Sequence, residues 1–158
     1  ICIVGLGYIG LPTAAILTNA GFNVLGVDIN DSVIDVIKKG KIHIKEKGLE
    51  DLISRAIKKN LLEVSNRPKE SDIFIISVPT PLKKDNNKIP KPDISYVLKA
   101  LDSISPFIKK GDLLILESTC PVGTSKILTK KLHESTNIDL NDLNFAKASF
   151  NYGAFFIH

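Results

Sequence analysis

The stretch Ile1-Cys2-Ile3-Val4-Gly5-Leu6-Gly7-Tyr8-Ile9-Gly10-Leu11-Pro12 decides the fold. Its apolar opening reads as a buried strand. Three glycines follow at G-x-G-x-x-G spacing, and a helix pattern opens at Leu11. Each glycine has its own physical reason. Gly5 permits a tight strand-to-helix turn, Gly7 leaves the backbone open to a pyrophosphate, and Gly10 lets helix and strand pack closely. The helix N-terminus then presents unpaired N–H groups and a positive dipole end to phosphate oxygens. The competing reading is a glycine-rich turn that binds nothing; the strand before it and the helix after it argue for the ligand.

The remaining composition narrows the class. The chain has 158 residues, 44% hydrophobic and 24% charged, which suits one soluble domain with a substantial core. The net charge of +4 comes from scattered lysines such as Lys38-Lys39 and Lys130-Lys131. No basic block is interleaved with aromatics, so nucleic-acid binding is not expected. Two cysteines at no metal or redox spacing predict no disulfide framework, no metal site and a reducing, cytoplasmic setting. No apolar run approaches membrane-spanning length and no signal peptide is visible, so no membrane partner is expected. The first residue is not methionine and already lies inside a strand, so the chain is expected to be part of a longer product.

Further along, the first helix is predicted over Leu11–Ala20, stopped by Gly21, and a second strand over Phe22–Val27. Asp28 ends that strand, about 20 residues beyond the glycines, where a carboxylate accepts hydrogen bonds from the adenosine ribose. Its charge would repel a 2′-phosphate, so it favours NAD over NADP. The alternative is a cap or turn role, but Asp31 and Ser32 are better placed to cap the next helix, Val33–Lys39. Another helix is predicted over Leu49–Lys59 and a short edge strand over Leu61–Val64. The apolar run Asp72–Val78 reads as a strand buried on both faces, and a Lys-, Asn- and Pro-rich loop leaves it through Pro79-Thr80-Pro81 towards Pro92. Two readings fit Thr80, a cofactor contact and a rigid Pro-Thr-Pro turn. Asp93 is the predicted N-cap of a helix over 94–104, with Tyr96, Val97, Ala100, Leu101 and Ile104 on its apolar face. A strand over Asp112–Glu117, a helix over Ser125–His133 and a last strand near Phe145–Ala148 complete the pattern. This order predicts an α/β, doubly wound, mostly parallel Rossmann-type sheet.

Three separated stretches, Gly5–Pro12, Val78-Pro79-Thr80-Pro81 and Glu117-Ser118-Thr119-Cys120-Pro121-Val122-Gly123-Thr124, resemble the nucleotide-sugar 6-dehydrogenases, the UDP-glucose/GDP-mannose dehydrogenase family. Gly40-Lys41-Ile42-His43-Ile44-Lys45-Glu46 and Lys91-Pro92-Asp93-Ile94-Ser95-Tyr96-Val97 are similar to the members that act on UDP-N-acetylmannosamine. The resemblance covers residues 1–144, the expected NAD-binding domain, with 145–158 as a divergent or truncated tail. It implies oxidation of the C6 alcohol of a UDP-amino-sugar to the uronate, with two NAD as hydride acceptors, for surface polysaccharide precursors. In that family a cysteine captures the aldehyde as a thiohemiacetal. A second hydride transfer gives a thioester, which water hydrolyses, with a lysine and an asparagine assisting. Full-length relatives are expected to be homodimers.

Carried over by motif, Gly5, Gly7 and Gly10 form the cofactor turn, and Tyr8 and Ile9 meet the pyrophosphate through their backbone. Asp28 holds the ribose, and Thr80 and Thr119 lie along the nicotinamide half, with Thr119 assisting nearest the reacting centre. The chain departs from the family pattern after the third motif. The family's Pro-Glu-Arg element is missing from Phe145–His158, and the central helix and the substrate domain with its cysteine and lysine are not encoded in these residues. Cys120 has no neighbouring base in the sequence and reads as a free, buried or half-buried thiol rather than a nucleophile. His43 and His133 have no partners at catalytic or metal spacing and read as surface or interface residues. This chain on its own is therefore expected to bind NAD without turnover. The alternatives are a dehydrogenase of the 3-hydroxyacid type and a non-catalytic gene remnant. In the remnant, Phe150, Tyr152, Phe155, Phe156 and Ile157 would be an exposed, aggregation-prone end.

Overall fold

The computed structural model describes residues 1–83, 91–136, 138, 142–147 and 156–157. The chain alternates strands and helices: β1 (Cys2–Val4), α1 (Gly10–Asn19), β2 (Val24–Val27), α2 (Asp31–Lys38), α3 (Leu49–Lys58), β3 (Leu62–Ser65), β4 (Ile73–Ile76), the hairpin strands β5 (Leu82–Lys83) and β6 (Lys91–Pro92), α4 (Ser95–Ile104), β7 (Leu113–Leu116), α5 (Thr124–Thr136), β8 (Asn144–Lys147) and β9 (Phe156–Ile157). Six strands run parallel in the order β3-β2-β1-β4-β7-β8, and β9 pairs antiparallel with the outer edge of β8. The chain leaves β1 for β2 and β3 on one side, then returns to β4 on the other. The C-terminal ends of β1 and β4 therefore flank the switch point, where this class of sheet binds ligands.

The central strands β1, β2, β4 and β7 are apolar throughout because each is covered on both faces. Along β1, Cys2 and Val4 pack with Val97, Leu101 and Ile104 of α4, while Ile3 faces the opposite layer with Leu11, Ala14, Ile37 and Ile53. Phe74 and Ile76 of β4 join the first layer and Ile75 joins the second. The period of two along each strand thus feeds two separate cores. Burial pushes the Cys2 thiol up to about 11, as a low-dielectric site does to any group that is neutral when protonated.

The structure corrects several boundaries for identifiable reasons. The second strand begins at Val24 rather than Phe22, because the Phe22 N–H closes α1 by donating to the Leu17 carbonyl at 3.1 Å and cannot join the ladder. Helix α2 is capped by Asn30, whose side chain accepts from the Ser32 N–H at 3.0 Å, and not by Asp31 or Ser32. Asp93 lies one residue outside the helix cap, yet its carboxylate still accepts the Ser95 N–H at 2.9 Å. That bond, seconded by the Ser95 hydroxyl and Lys83, holds the Asp93 carboxyl below its ordinary range. The Pro-rich loop after β4 includes the antiparallel β5–β6 pair, and its positions 84–90 lie outside the described residues. Helix α5 runs on to Thr136, beyond the His133 expected. Strand β8 crosses position 144, pairing Asn144 and Phe145 with Leu113 and Leu114. The expected apolar end at Phe150, Tyr152 and Phe155 lies outside the described residues.

Candidate cofactor-binding site

Ladder contacts carry each central strand into its ligand-facing loop. The Gly5 N–H donates to the Val27 carbonyl and the Ser77 N–H to the Val4 carbonyl, both at 2.8 Å, while the Glu117 N–H donates to the Ile76 carbonyl at 2.9 Å. The ends of β2, β1, β4 and β7 consequently lie side by side at the mouth of one cleft of about 660 Å³.

The three glycines do three different jobs there. Gly5 has φ +96°, and a Cβ on it would stand 2.6 Å from the Ser77 carbonyl oxygen. A Cβ on Gly10 would stand 1.9 Å from the Gly5 carbonyl oxygen, so α1 can start only where that residue has no side chain. A Cβ on Gly7 would meet nothing within 4 Å. Its lack of a side chain answers to no protein neighbour, and the space above it belongs to the cleft, which Gly7 lines. Tyr8 and Ile9 also line it, 67% and 43% exposed. Gly10 is buried beneath the turn and forms no part of the cleft wall.

Asp28 lines the cleft at the end of β2. Its two carboxylate oxygens accept one backbone N–H each, from Leu6 inside the glycine turn and from Asn30 ahead of α2, both at 2.9 Å. The turn role considered as an alternative is therefore real. It coexists with ligand access, since each oxygen retains a further lone pair. Thr80 and Thr119 line the cleft after β4 and β7, and the Thr80 hydroxyl donates to the Thr119 carbonyl at 2.6 Å. The Ser118 hydroxyl donates to the Val78 carbonyl at 2.7 Å and pins the same two loops beneath the surface.

Other cleft residues were not singled out by sequence. Tyr96, Lys99 and Ser103, spaced three and four apart on α4, form one wall, and Ile29 and Asn66 stand near the β2 end. Tyr96, expected on the core face of α4, is 42% exposed and faces the cleft instead. Its helical spacing placed it beside Val97 and Ala100, and only the position of the neighbouring strands reveals which side is open. Glu117 also lines the cleft, and Thr13 of α1 donates to its carboxylate at 3.1 Å. Cys120 is half-buried against the core. His43 and His133 are exposed, and His133 Nδ1 contacts the Ile138 carbonyl at 2.8 Å. Among the described residues no cluster of metal-ligating side chains occurs, and no helix is long and apolar enough to cross a membrane.

A family model described as the UDP-glucose/GDP-mannose dehydrogenase family, NAD binding domain, matches residues 1–150. The chain belongs to that family. A UDP-N-acetyl-D-mannosamine dehydrogenase of Campylobacter jejuni is 47% identical over 145 residues, covering 92% of this chain and 34% of the relative. The solved structure of the Staphylococcus aureus UDP-N-acetyl-mannosamine dehydrogenase matches with a TM-score of 0.86 and 42% identity, over 92% of this chain and 35% of that one. A ternary complex of GDP-mannose dehydrogenase from Pseudomonas aeruginosa matches at TM-score 0.84 and 28% identity, over 92% of this chain and 35% of that one. The chain thus spans about a third of the length of these relatives. Within the family's NAD-binding domain, the open space over Gly7 and the carboxylate at the end of β2 fit a dinucleotide: the first admits a diphosphate to bare backbone, the second an adenosine ribose.

Proposed function

We propose that this chain is the NAD-binding part of a UDP-N-acetylmannosamine 6-dehydrogenase, a cytoplasmic enzyme supplying uronates for surface polysaccharide. Bound NAD would accept the hydride removed at C6 of the sugar, two cofactors being used per alcohol taken to carboxylate. The observation that carries the reading is the opening over Gly7, set between Asp28 on one side and the paired loops of Thr80 and Thr119 on the other. The chain's own residues divide the work. The turn from Gly5 to Gly10 offers backbone N–H groups and the N-terminus of α1 to the diphosphate. The Asp28 carboxylate accepts from ribose hydroxyls and repels a 2′-phosphate. Thr80 and Thr119 meet the other nucleoside, with Thr119 nearest the reacting carbon. The sugar nucleotide, the nucleophile and a homodimer interface are assigned, in this reading, to the remainder of the enzyme. Residues 1–144 are read as the cofactor domain, and 145–158 as its divergent end.

Binding is the direct test. NAD at a hundredfold excess over Kd should stabilise the chain by about 2.7 kcal/mol, read as a rise in unfolding temperature. No shift at millimolar NAD would remove the reading. Asp28→Asn keeps an acceptor for only one of its two backbone partners and loses the charge. It should weaken NAD binding and narrow the preference over NADP, and an unaltered preference would take Asp28 out of the ribose site.

A further inference from the structure

Glu117 is a half-buried carboxylate at the cleft that none of the roles above uses. It stands one residue past β7, and its side chain accepts the Thr13 hydroxyl from the first turns of α1, at 3.1 Å to one oxygen and 3.4 Å to the other. No lysine or arginine forms an ion pair with it among the described residues. A negative charge at a cleft, in no ion pair with a protein cation and steadied by a hydroxyl from another element, is placed to meet a positive or donating group of a ligand.

The strand order says which group that is, given the cofactor reading on which this inference rests. A dinucleotide with its ribose at Asp28 on β2 and its diphosphate over the β1 turn must continue across β4 towards β7. Its second nucleoside therefore reaches the end of β7, where Glu117 and Thr119 stand. The oxidised nicotinamide ring carries a positive charge that the reduced ring lacks, and its carboxamide carries an N–H donor pair. We infer that Glu117, held in place by Thr13, is a specificity-determining residue for the redox state of the cofactor, its carboxylate drawing the oxidised nicotinamide into the cleft in preference to the reduced one. Lys99 on α4 and Asp28 at the end of β2 are the other charged side chains lining the cleft, and Lys99 forms no ion pair with Glu117. The device would favour loading of NAD and release of NADH.

The test is calorimetric titration of this chain and its Glu117→Gln variant with NAD, NADH and ADP-ribose. Glutamine keeps the shape and one acceptor oxygen for Thr13, so the substitution removes the charge and turns the other oxygen into an amide donor. The variant should lower the preference for NAD over NADH by about tenfold, the scale of one charge acting across a few ångströms of partly wet cleft, with ADP-ribose affinity unchanged. A preference unchanged within about twofold, with ADP-ribose still bound, overturns the inference and leaves the cofactor site standing. Wild-type chain that binds neither ADP-ribose nor NAD overturns both. If Glu117→Gln itself loses ADP-ribose, Thr13→Val decides: releasing the carboxylate should shift the preference in the same direction by a smaller factor, and no shift refutes the assignment.

Discussion

At the scale of single residues, the glycine turn separates two demands that the motif alone runs together. Gly10 serves the fold, and in the proposed reading Gly7 serves the ligand. Gly10→Ala would drive a methyl into the Gly5 carbonyl, a backbone atom that cannot step aside. It should cost about 1–3 kcal/mol of stability in denaturant unfolding, as overpacking does. Gly7→Ala should leave stability within about 0.5 kcal/mol of the parent, while NAD affinity falls because the methyl occupies the diphosphate's space. Equal losses of stability in the two variants would contradict this division. The close packing at Gly10 was legible in the spacing of the glycines. The contact of Glu117 with Thr13 was not, because the two are far apart in sequence and nothing local marks a carboxylate at a strand end as lacking an ion pair.

At the scale of elements, the parallel strands and the helix starts were read to within two residues, while the cap residues of α2 and α4 were not. An apolar run such as Ile73–Ile76 announces itself, because burial on both faces leaves no polar position to interrupt it. A helix start depends on one side chain reaching one N–H. Asp31, Ser32 and Asn30 all have cap chemistry, and only the extended backbone of Asn30 (φ −94°, ψ 104°) brings its oxygen to the Ser32 N–H. Asn30→Ala should therefore cost about 1 kcal/mol, whereas Ser32→Ala should leave the melting temperature close to the parent's, Ser32 giving the cap only its backbone N–H. The wall of α4 escaped for a related reason. Helical periodicity finds the face that includes Tyr96, but not whether a strand or a cleft lies opposite it.

At the scale of the whole molecule, the two cores on either side of the sheet make stability depend on groups remote from the cleft. Ile53, fully buried in the layer with α1 and α3, should cost about 2–5 kcal/mol when cut to alanine. Cys2, in the other layer, ties stability to pH. Its thiol titrates near 9.0 when unfolded and about 11 when folded. The unfolded chain therefore loses that proton first, so stability present below pH 9.0 declines as pH rises towards about 11. Unfolding of the parent and Cys2→Ala compared across this window should show a shallower decline in the variant; parallel curves would refute the assignment. The doubly wound topology itself was legible, since each crossover helix is announced between two apolar runs. The β5–β6 pair was not, because a two-residue strand in a Pro-rich loop carries no periodicity.

The bond between the loops of Thr80 and Thr119 has a chemical corollary. A hydroxyl has one proton to give, and Thr80 has already committed its own to the Thr119 carbonyl. Towards a visitor in the cleft, Thr80 can offer only lone pairs. Thr119 spends its carbonyl, not its side chain, on that bond, so its proton remains available to an oxygen gaining negative charge. Two side chains of the same kind, side by side, thereby present opposite polarities to whatever lies between them.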